Sequence, residues 1–274
     1  MLQRIRTLLQ GEGISLVAPL SLDACRIQKP YLLEREGISS GTAFLFATPY
    51  YTTECDDPAR NISAYAVSKD YHRFFEGLFA RVLPVLRAEF PAFRFAGFTD
   101  HSPIAEAEAC VRAGLGFFGC NHLFLTQRHG SFVFLGEIIT DAVMDAPPVP
   151  PTTCTQCGAC ARACPVGLDI SRCHSALTQK KGTLSPEERA QLLQNKSAWG
   201  CDICQQACPI NKAAKAAGTL YTTISYFKES AIPHLDLQAL NAMTDEEFQT
   251  RAYSWRGRAV IERNLEILEK GETK

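Results

Sequence analysis

Hydrophobic positions in the first half of the chain follow two periods. Short, nearly unbroken apolar runs predict buried strands: ISLVAP from Ile14, TAFLFAT from Thr42 and FRFAGFT from Phe93. From Asn61 to Glu89 the chain predicts a helix, with apolar residues recurring at Phe74, Phe75, Leu78, Phe79, Val82, Leu83 and Leu86. Pro84 within it predicts a kink or a break. PIAEAEACVRAG predicts another helix, starting at Pro103 with Ser102 as its cap and stopping at Gly114. HLFLT and SFVFLGEIIT, separated by the turn-like QRHG, predict a hairpin. The opening MLQRIRTLLQGEG reads as a short amphipathic helix. Residues 1–146 therefore read as a mixed α/β domain.

The pattern then changes. DAPPVPPT is a linker, because its prolines block both helix and ladder pairing. A cysteine-rich module follows, within residues 147–215. A small helical tail, 216–274, contains LDLQALNAM, then TDEEFQTRAY with Thr244 capping and Glu247 at the box position, then RAVIERNLEIL. The fold class expected is α+β, in these three parts.

Composition adds little to this picture until the cysteines are counted. The 274 residues are 46% hydrophobic and 21% charged with a formal net charge of -1, which gives no global pull toward nucleic acid. No apolar run reaches the roughly 18 residues of a membrane span, and the start lacks the core and cleavage site of a signal peptide, so a cytoplasmic protein with no membrane partner is expected. Twelve cysteines are many for such a chain, and eight of them lie between Cys154 and Cys208. Crowded cysteines in a cytosolic protein point to metal rather than disulfides.

The first run is Cys154-x2-Cys157-x2-Cys160-x3-Cys164-Pro165, the ferredoxin spacing in which the fourth cysteine serves the other cluster. The second, Cys201-x2-Cys204-x3-Cys208-Pro209, is one cysteine short, and Cys173 is free to complete it. One [4Fe–4S] cluster is thus assigned to Cys154, Cys157, Cys160 and Cys208, and another to Cys164, Cys173, Cys201 and Cys204. Three thiolates on one tight loop reach three irons of a cubane, and the fourth comes from a distant segment. Structural zinc also uses C-x2-C pairs but rarely needs this run twice. Cys25, Cys55 and Cys110 read as small buried hydrophobes.

A two-cluster carrier needs little beyond the cysteine segment, so the preceding α/β domain is expected to be catalytic. Three of its segments, RNISAYAVSKDYH, FTDHSPIAEAEACVRAGLGFFGCNHLFL and HGSFVFLGEIITD, resemble the tRNA epoxyqueuosine reductase family, cobalamin-dependent iron–sulfur enzymes related to reductive dehalogenases. GCDICQQACPIN and TDEEFQTRAYSWRGRAVIERN also resemble it, and the likeness runs from roughly residue 40 to 268. Cys120 stands where the family usually has lysine. The chain stops where HEAT-type helical repeats would begin, which implies a short form.

The resemblance implies a cobalamin-binding α/β domain and reductive removal of an epoxide oxygen, with electrons passing through two [4Fe–4S] clusters to cobalamin. It implies as partners a tRNA anticodon region or a queuosine-precursor nucleoside and an external single-electron donor; a monomer is expected. Asp100, at the end of a strand, is the expected proton donor, where the residues alone would equally allow a helix cap. Near an apolar corrin face its carboxyl group would resist ionising. His72, Ser102, Gly114, Gly116, Gly119, Asn121, Gly130, Ser131 and Glu137 are cofactor-pocket candidates. The glycines read equally as tight turns and Glu137 as a satisfied strand carboxylate. Cys120 is a pocket-lining thiol outside the clusters. Arg251, Arg256, Arg258 and Arg263 fit either phosphate contacts or a solvated helix face. Two other functions stay open: a related reductase acting on a free nucleoside or a halogenated compound, and a non-catalytic two-cluster electron carrier.

Overall fold

The computed structural model describes residues 1–272, which divide into two compact units. The first comprises residues 1–49 and 72–156; the second comprises 50–71 and 157 onward.

The first unit is built on a four-stranded antiparallel sheet, β1 (Leu16–Ser21), β2 (Thr42–Pro49), β3 (Phe95–Phe98) and β6 (Val133–Thr140), in the order β1-β2-β6-β3. A two-stranded ribbon, β4 (Phe117–Phe118) and β5 (Phe124–Leu125), lies apart from it in the topology. Every residue of β2 is buried, because helices cover both faces of the sheet at its centre. That is why TAFLFAT reads as a continuous apolar run rather than an alternating one.

On one face, Ala43 and Leu45 of β2 join Ile139 of β6 and Phe98 of β3 in a core with Leu32, Leu33, Ala109 and Cys110 from helices Pro30–Arg35 and Glu106–Arg112. Cys25 lies in the same core, and Cys55 is buried in the second unit, so these three cysteines are packed as small apolar residues. On the other face, Phe46 stacks on Phe75 of helix Tyr71–Glu89 at 6.1 Å. A Cβ at Gly136 would lie 2.4 Å from Phe75, and one at Gly97 would lie 2.3 Å from Phe79. The helix can sit this close only because those two strand positions carry no side chain.

Two expectations are corrected here. The helix predicted from Asn61 to Glu89 is broken: Ala64–Val67 is a single turn, Ser68 is extended, and a new helix begins at Tyr71. The break has a cause, since Asp70 N–H donates to Thr250 O at 2.8 Å and Lys69 bridges Arg251, both within the second unit. From Tyr71 the helix runs through Pro84 to Glu89, with Leu78, Val82, Leu83 and Leu86 buried on its inner face. The expected hairpin of HLFLT with SFVFLGEIIT is reduced to one bridge, Thr126 to Gly130. Instead β5 folds back on β4, and β6 takes the centre of the sheet between β2 and β3.

The second unit is helical. Its tail has helices Leu237–Ala242, Asp245–Gln249 and Arg258–Glu272, and Thr244 with Glu247 forms the capping box read from the sequence. No helix among the described residues is long and apolar enough to cross a membrane.

Candidate functional site

Strand β3 ends in a turn that places Asp100 in the left-handed region, at φ +56. Aspartate is one of the few side-chain residues that tolerates this conformation. The carboxyl group is 57% exposed, and its Oδ2 lies 3.4 Å from His72 Nε2 in the first turn of helix Tyr71–Glu89. The next helix starts only at Glu106, with Ala105 as its N-cap, so Asp100 does not cap it. Ser102 does not cap it either: its hydroxyl accepts Ile104 N–H at 3.0 Å and donates to the Glu137 carboxylate.

Beneath the turn lies a pair of carboxyl groups. Glu137 sits on β6 opposite Leu45 of β2 and Phe98 of β3, fully buried, and its Oε2 has no hydrogen-bond partner at normal distance. Burial first, and then the neighbouring Glu106 carboxylate, push the Glu137 carboxyl group well above the usual range, while the Ser102 bond pulls the other way. Burial likewise pushes Glu106 up to about 7, aided by the charge of Asp100. Both carboxyl groups are thus biased toward keeping a proton. Glu106 Oε1 also accepts the Asp100 backbone N–H at 3.1 Å, so this acid pair holds the turn that displays Asp100. Sequence patterning missed Glu106, because an acidic residue in the first turn of a helix has a sufficient local reason to be there.

The glycine-rich block forms the β4–β5 ribbon. Val149 fills the space a side chain would need at Gly114, Leu125 O stands 2.1 Å from a Cβ at Gly116, and Asn121 Oδ1 stands 2.5 Å from one at Gly119. These close approaches are made by the chain's own atoms. Asn121 also accepts Leu123 N–H at 3.4 Å. Gly130, at φ +59, accepts the Thr126 N–H at 2.9 Å, and Ser131 beside it is buried. Phe118 and Leu123 present apolar side chains to solvent on the same ribbon. Cys120, at its tip, is exposed, and its sulfur lies 3.9 Å from that of Cys154.

In the second unit, helices Ala159–Ala163 and Ile203–Ala207 pack together, one carrying Cys160 and the other Cys204. They end alike. Cys164, at φ -67 and ψ 125, is followed by Pro165; Cys208, at φ -66 and ψ 125, is followed by Pro209. The two Cys-Pro steps thus repeat one geometry. Cys173 links a short 3₁₀ turn to helix His174–Thr178. Cys201 is partly buried and Cys157 is exposed, and no disulfide joins any of the cysteines.

The RNIS block supports this module. Arg60 donates to Asp202 at 2.6 Å and to the Cys55 and Ile62 carbonyls. Ser63 O–H and Ala64 N–H also donate to Asp202, which stands between Cys201 and helix Ile203–Ala207. With side chains only 8% and 2% exposed, Arg60 and Asp202 form a buried pair that fixes the second cysteine run. The basic residues of the tail are structural too: Arg251 donates to the Ser230 and Val67 carbonyls, Arg258 to those of Leu240 and Met243, and Arg263 to that of Lys180. Arg256 instead lies over the exposed Trp255 ring at 3.9 Å.

Comparison with known proteins is consistent with both units. Residues 153–211 match the family described as a 4Fe-4S double cluster binding domain. An epoxyqueuosine reductase of Cyclobacterium marinum is 33% identical over 226 residues, covering 78% of this chain and 69% of that protein. The chain belongs to the epoxyqueuosine reductase family. A second epoxyqueuosine reductase, from Burkholderia pseudomallei, is 36% identical over 178 residues, but this chain spans only 43% of its length. The fold is also that of an epoxyqueuosine reductase solved with an epoxyqueuosine-modified tRNA-Tyr stem loop, with a TM-score of 0.74 and 25% identity over 97% of this chain and 80% of that one. Within the epoxyqueuosine reductase fold, then, this chain has a mixed α/β unit with an antiparallel sheet, and a double-cluster module.

Proposed function

We propose that this chain reduces epoxyqueuosine to queuosine in the anticodon region of tRNA, in the cytoplasm and as a monomer, drawing electrons from an external single-electron donor. The epoxide oxygen leaves as water, which requires two electrons and two protons. The observation that carries the reading is the exposed Asp100 carboxyl group on a left-handed turn, held from beneath by Glu106 and facing His72. A family relative bound to an epoxyqueuosine-modified stem loop supports the substrate class.

The roles divide as follows. Cys154, Cys157, Cys160 and Cys208 hold one cluster, and Cys164, Cys173, Cys201 and Cys204 hold the other, in line with the double-cluster match over 153–211. The functional parts are 1–146 for catalysis, 147–215 for electron transfer and 216–274 for a helical tail. The ribbon fits a broad apolar ligand, since Phe118 and Leu123 are exposed on it. His72, Asn121, Gly130 and Ser131 would hold cobalamin there, with Gly114, Gly116 and Gly119 shaping the ribbon by letting the chain's own atoms close in, while Ser102 and Glu137, buried against each other, support the Asp100 turn. Cobalamin, when bound, supplies the centre at which single electrons are gathered for a two-electron reduction. Asp100 donates a proton to the oxygen released as the epoxide opens. His72, 3.4 Å from Asp100, orients that carboxyl group and stabilises its charged form after transfer.

The test is anaerobic turnover. Protein with its iron and cobalt counted is given a reductant and an anticodon stem-loop carrying epoxyqueuosine, and the nucleoside is followed by mass for the loss of one oxygen. Protein that holds both cofactors and leaves the epoxide intact would refute the assignment.

A further inference from the structure

Cys120 differs from the other three cysteines outside the cluster framework. Cys25, Cys55 and Cys110 are buried, whereas Cys120 is exposed at the tip of the β4–β5 ribbon. Its sulfur lies 3.9 Å from that of Cys154, the first cysteine of the double-cluster segment. The two sulfurs come together through well-fixed backbone on both sides. Gly119 N–H donates to Leu123 O at 2.9 Å and His122 N–H to Gly119 O at 3.0 Å, which closes the ribbon tip that carries Cys120. On the other side, Val149 N–H donates to Arg112 O at 2.8 Å, and its side chain occupies the notch left by Gly114. That contact anchors the proline-rich linker shortly before Cys154. Gln156 N–H points back at the Cys154 sulfur at 3.5 Å.

We propose that Cys120 and Cys154 form a reversible disulfide that withdraws Cys154 from cluster binding in protein that has lost its iron. This rests on the reading of Cys154 as a cluster ligand. A disulfide needs its sulfurs at about 2.05 Å, so each must move roughly 1 Å, which side-chain rotation provides at exposed and half-buried positions. The oxidant is a small-molecule disulfide such as oxidised glutathione. The Cys120 thiolate attacks the reagent, forming a mixed disulfide and releasing one small thiol. The Cys154 thiolate then attacks the Cys120 sulfur, closing the protein disulfide and releasing the second. Two protein thiols lose two electrons and two protons, and these leave as the two small thiols. A sulfur held in a disulfide is no longer a thiolate and cannot ligate iron. Cluster loading at the first quartet therefore waits on reduction.

The test uses the full chain, wild type and Cys120→Ser, stripped of iron by a chelator without oxygen and then treated with oxidised glutathione. Peptide mapping without reductant is expected to show a Cys120–Cys154 linked peptide as the main product in the wild type. On reconstitution without dithiothreitol, Cys120→Ser takes up at least twofold more iron than the wild type, and with dithiothreitol the two take up the same amount. The proposal is overturned if Cys120 alkylates as a free thiol in treated wild type, if Cys154 pairs with another cysteine, or if both proteins reload equally without reductant. Should neither protein hold iron even with dithiothreitol, the ligand reading fails, while the peptide map still decides whether the disulfide forms.

Discussion

Glu106 offers a direct measurement of the carboxyl pair beneath the Asp100 turn. Burial raises its carboxyl group from 4.5 to about 7, a difference of about 2.5 units, and at 1.36 kcal/mol per unit this amounts to about 3 kcal/mol. The folded carboxyl group titrates above the unfolded one, so between about pH 4.5 and 7 the unfolded state binds fewer protons. Stability from this group is intact below that window and falls as pH rises through it. Glu106→Gln keeps an acceptor for the Asp100 N–H and cannot titrate. The variant should therefore gain on the wild type by about 3 kcal/mol between pH 4.5 and 7. Glu137 adds in the same direction, since part of its upward shift comes from the Glu106 charge. Amide exchange of β2 and β6 in a urea series reads the opening free energy of the sheet itself. A difference between variant and wild type that stays flat within about 0.5 kcal/mol across this range, as for an ordinary surface substitution, would show that the pair retains no proton.

Three further outcomes follow from the geometry. Arg60→Ala leaves the Asp202 carboxylate buried without its cation and should cost about 3–5 kcal/mol in urea unfolding, with Arg60→Lys recovering only part because one ammonium cannot reproduce three separate guanidinium contacts. Gly116→Ala drives a Cβ to 2.1 Å from Leu125 O and should cost about 1–3 kcal/mol, read as a lowered melting temperature; an unchanged value would mean the ribbon yields to the added methyl group. Asp100→Ala should lower epoxyqueuosine turnover by about 10²–10⁴ while iron and cobalt contents hold, and full activity in that variant would remove Asp100 as the acid.

The strands were legible wherever burial on both faces leaves a continuous apolar run, as in TAFLFAT. Two departures from the local pattern have physical causes. Residues 61–70 carry a pattern compatible with a helix, but their backbone is recruited by partners far along the chain: Trp199 O accepts Ser63 N–H and Thr250 O accepts Asp70 N–H. Those partners override a weak local preference. The QRHG turn separates two apolar runs that look like a hairpin, yet the second run is long and fully buried at its end, and it pairs with two strands at the sheet centre rather than one at the edge. Local pattern shows that a strand exists and leaves its partner open.

The site divides along the same line. A cluster quartet is largely a local object: three thiolates within a few residues and a proline to end the loop, so spacing alone announces it. The two Cys-Pro steps, at nearly identical backbone angles, are the structural counterpart of that repeat. The acid pair is the opposite case. Glu106 and Glu137 come from a helix and a strand, and they meet only because β6 lies in a register that sets Glu137 between Leu45 and Phe98 on the face covered by helix Glu106–Arg112. A slip of one residue would turn Glu137 to the face packed by Phe75 and leave Glu106 an ordinary helix-start acid. The same sheet register thus decides both how the two carboxyl groups meet and how the Asp100 turn is held, so damage to β6 packing should disturb that turn even where Asp100 itself is untouched.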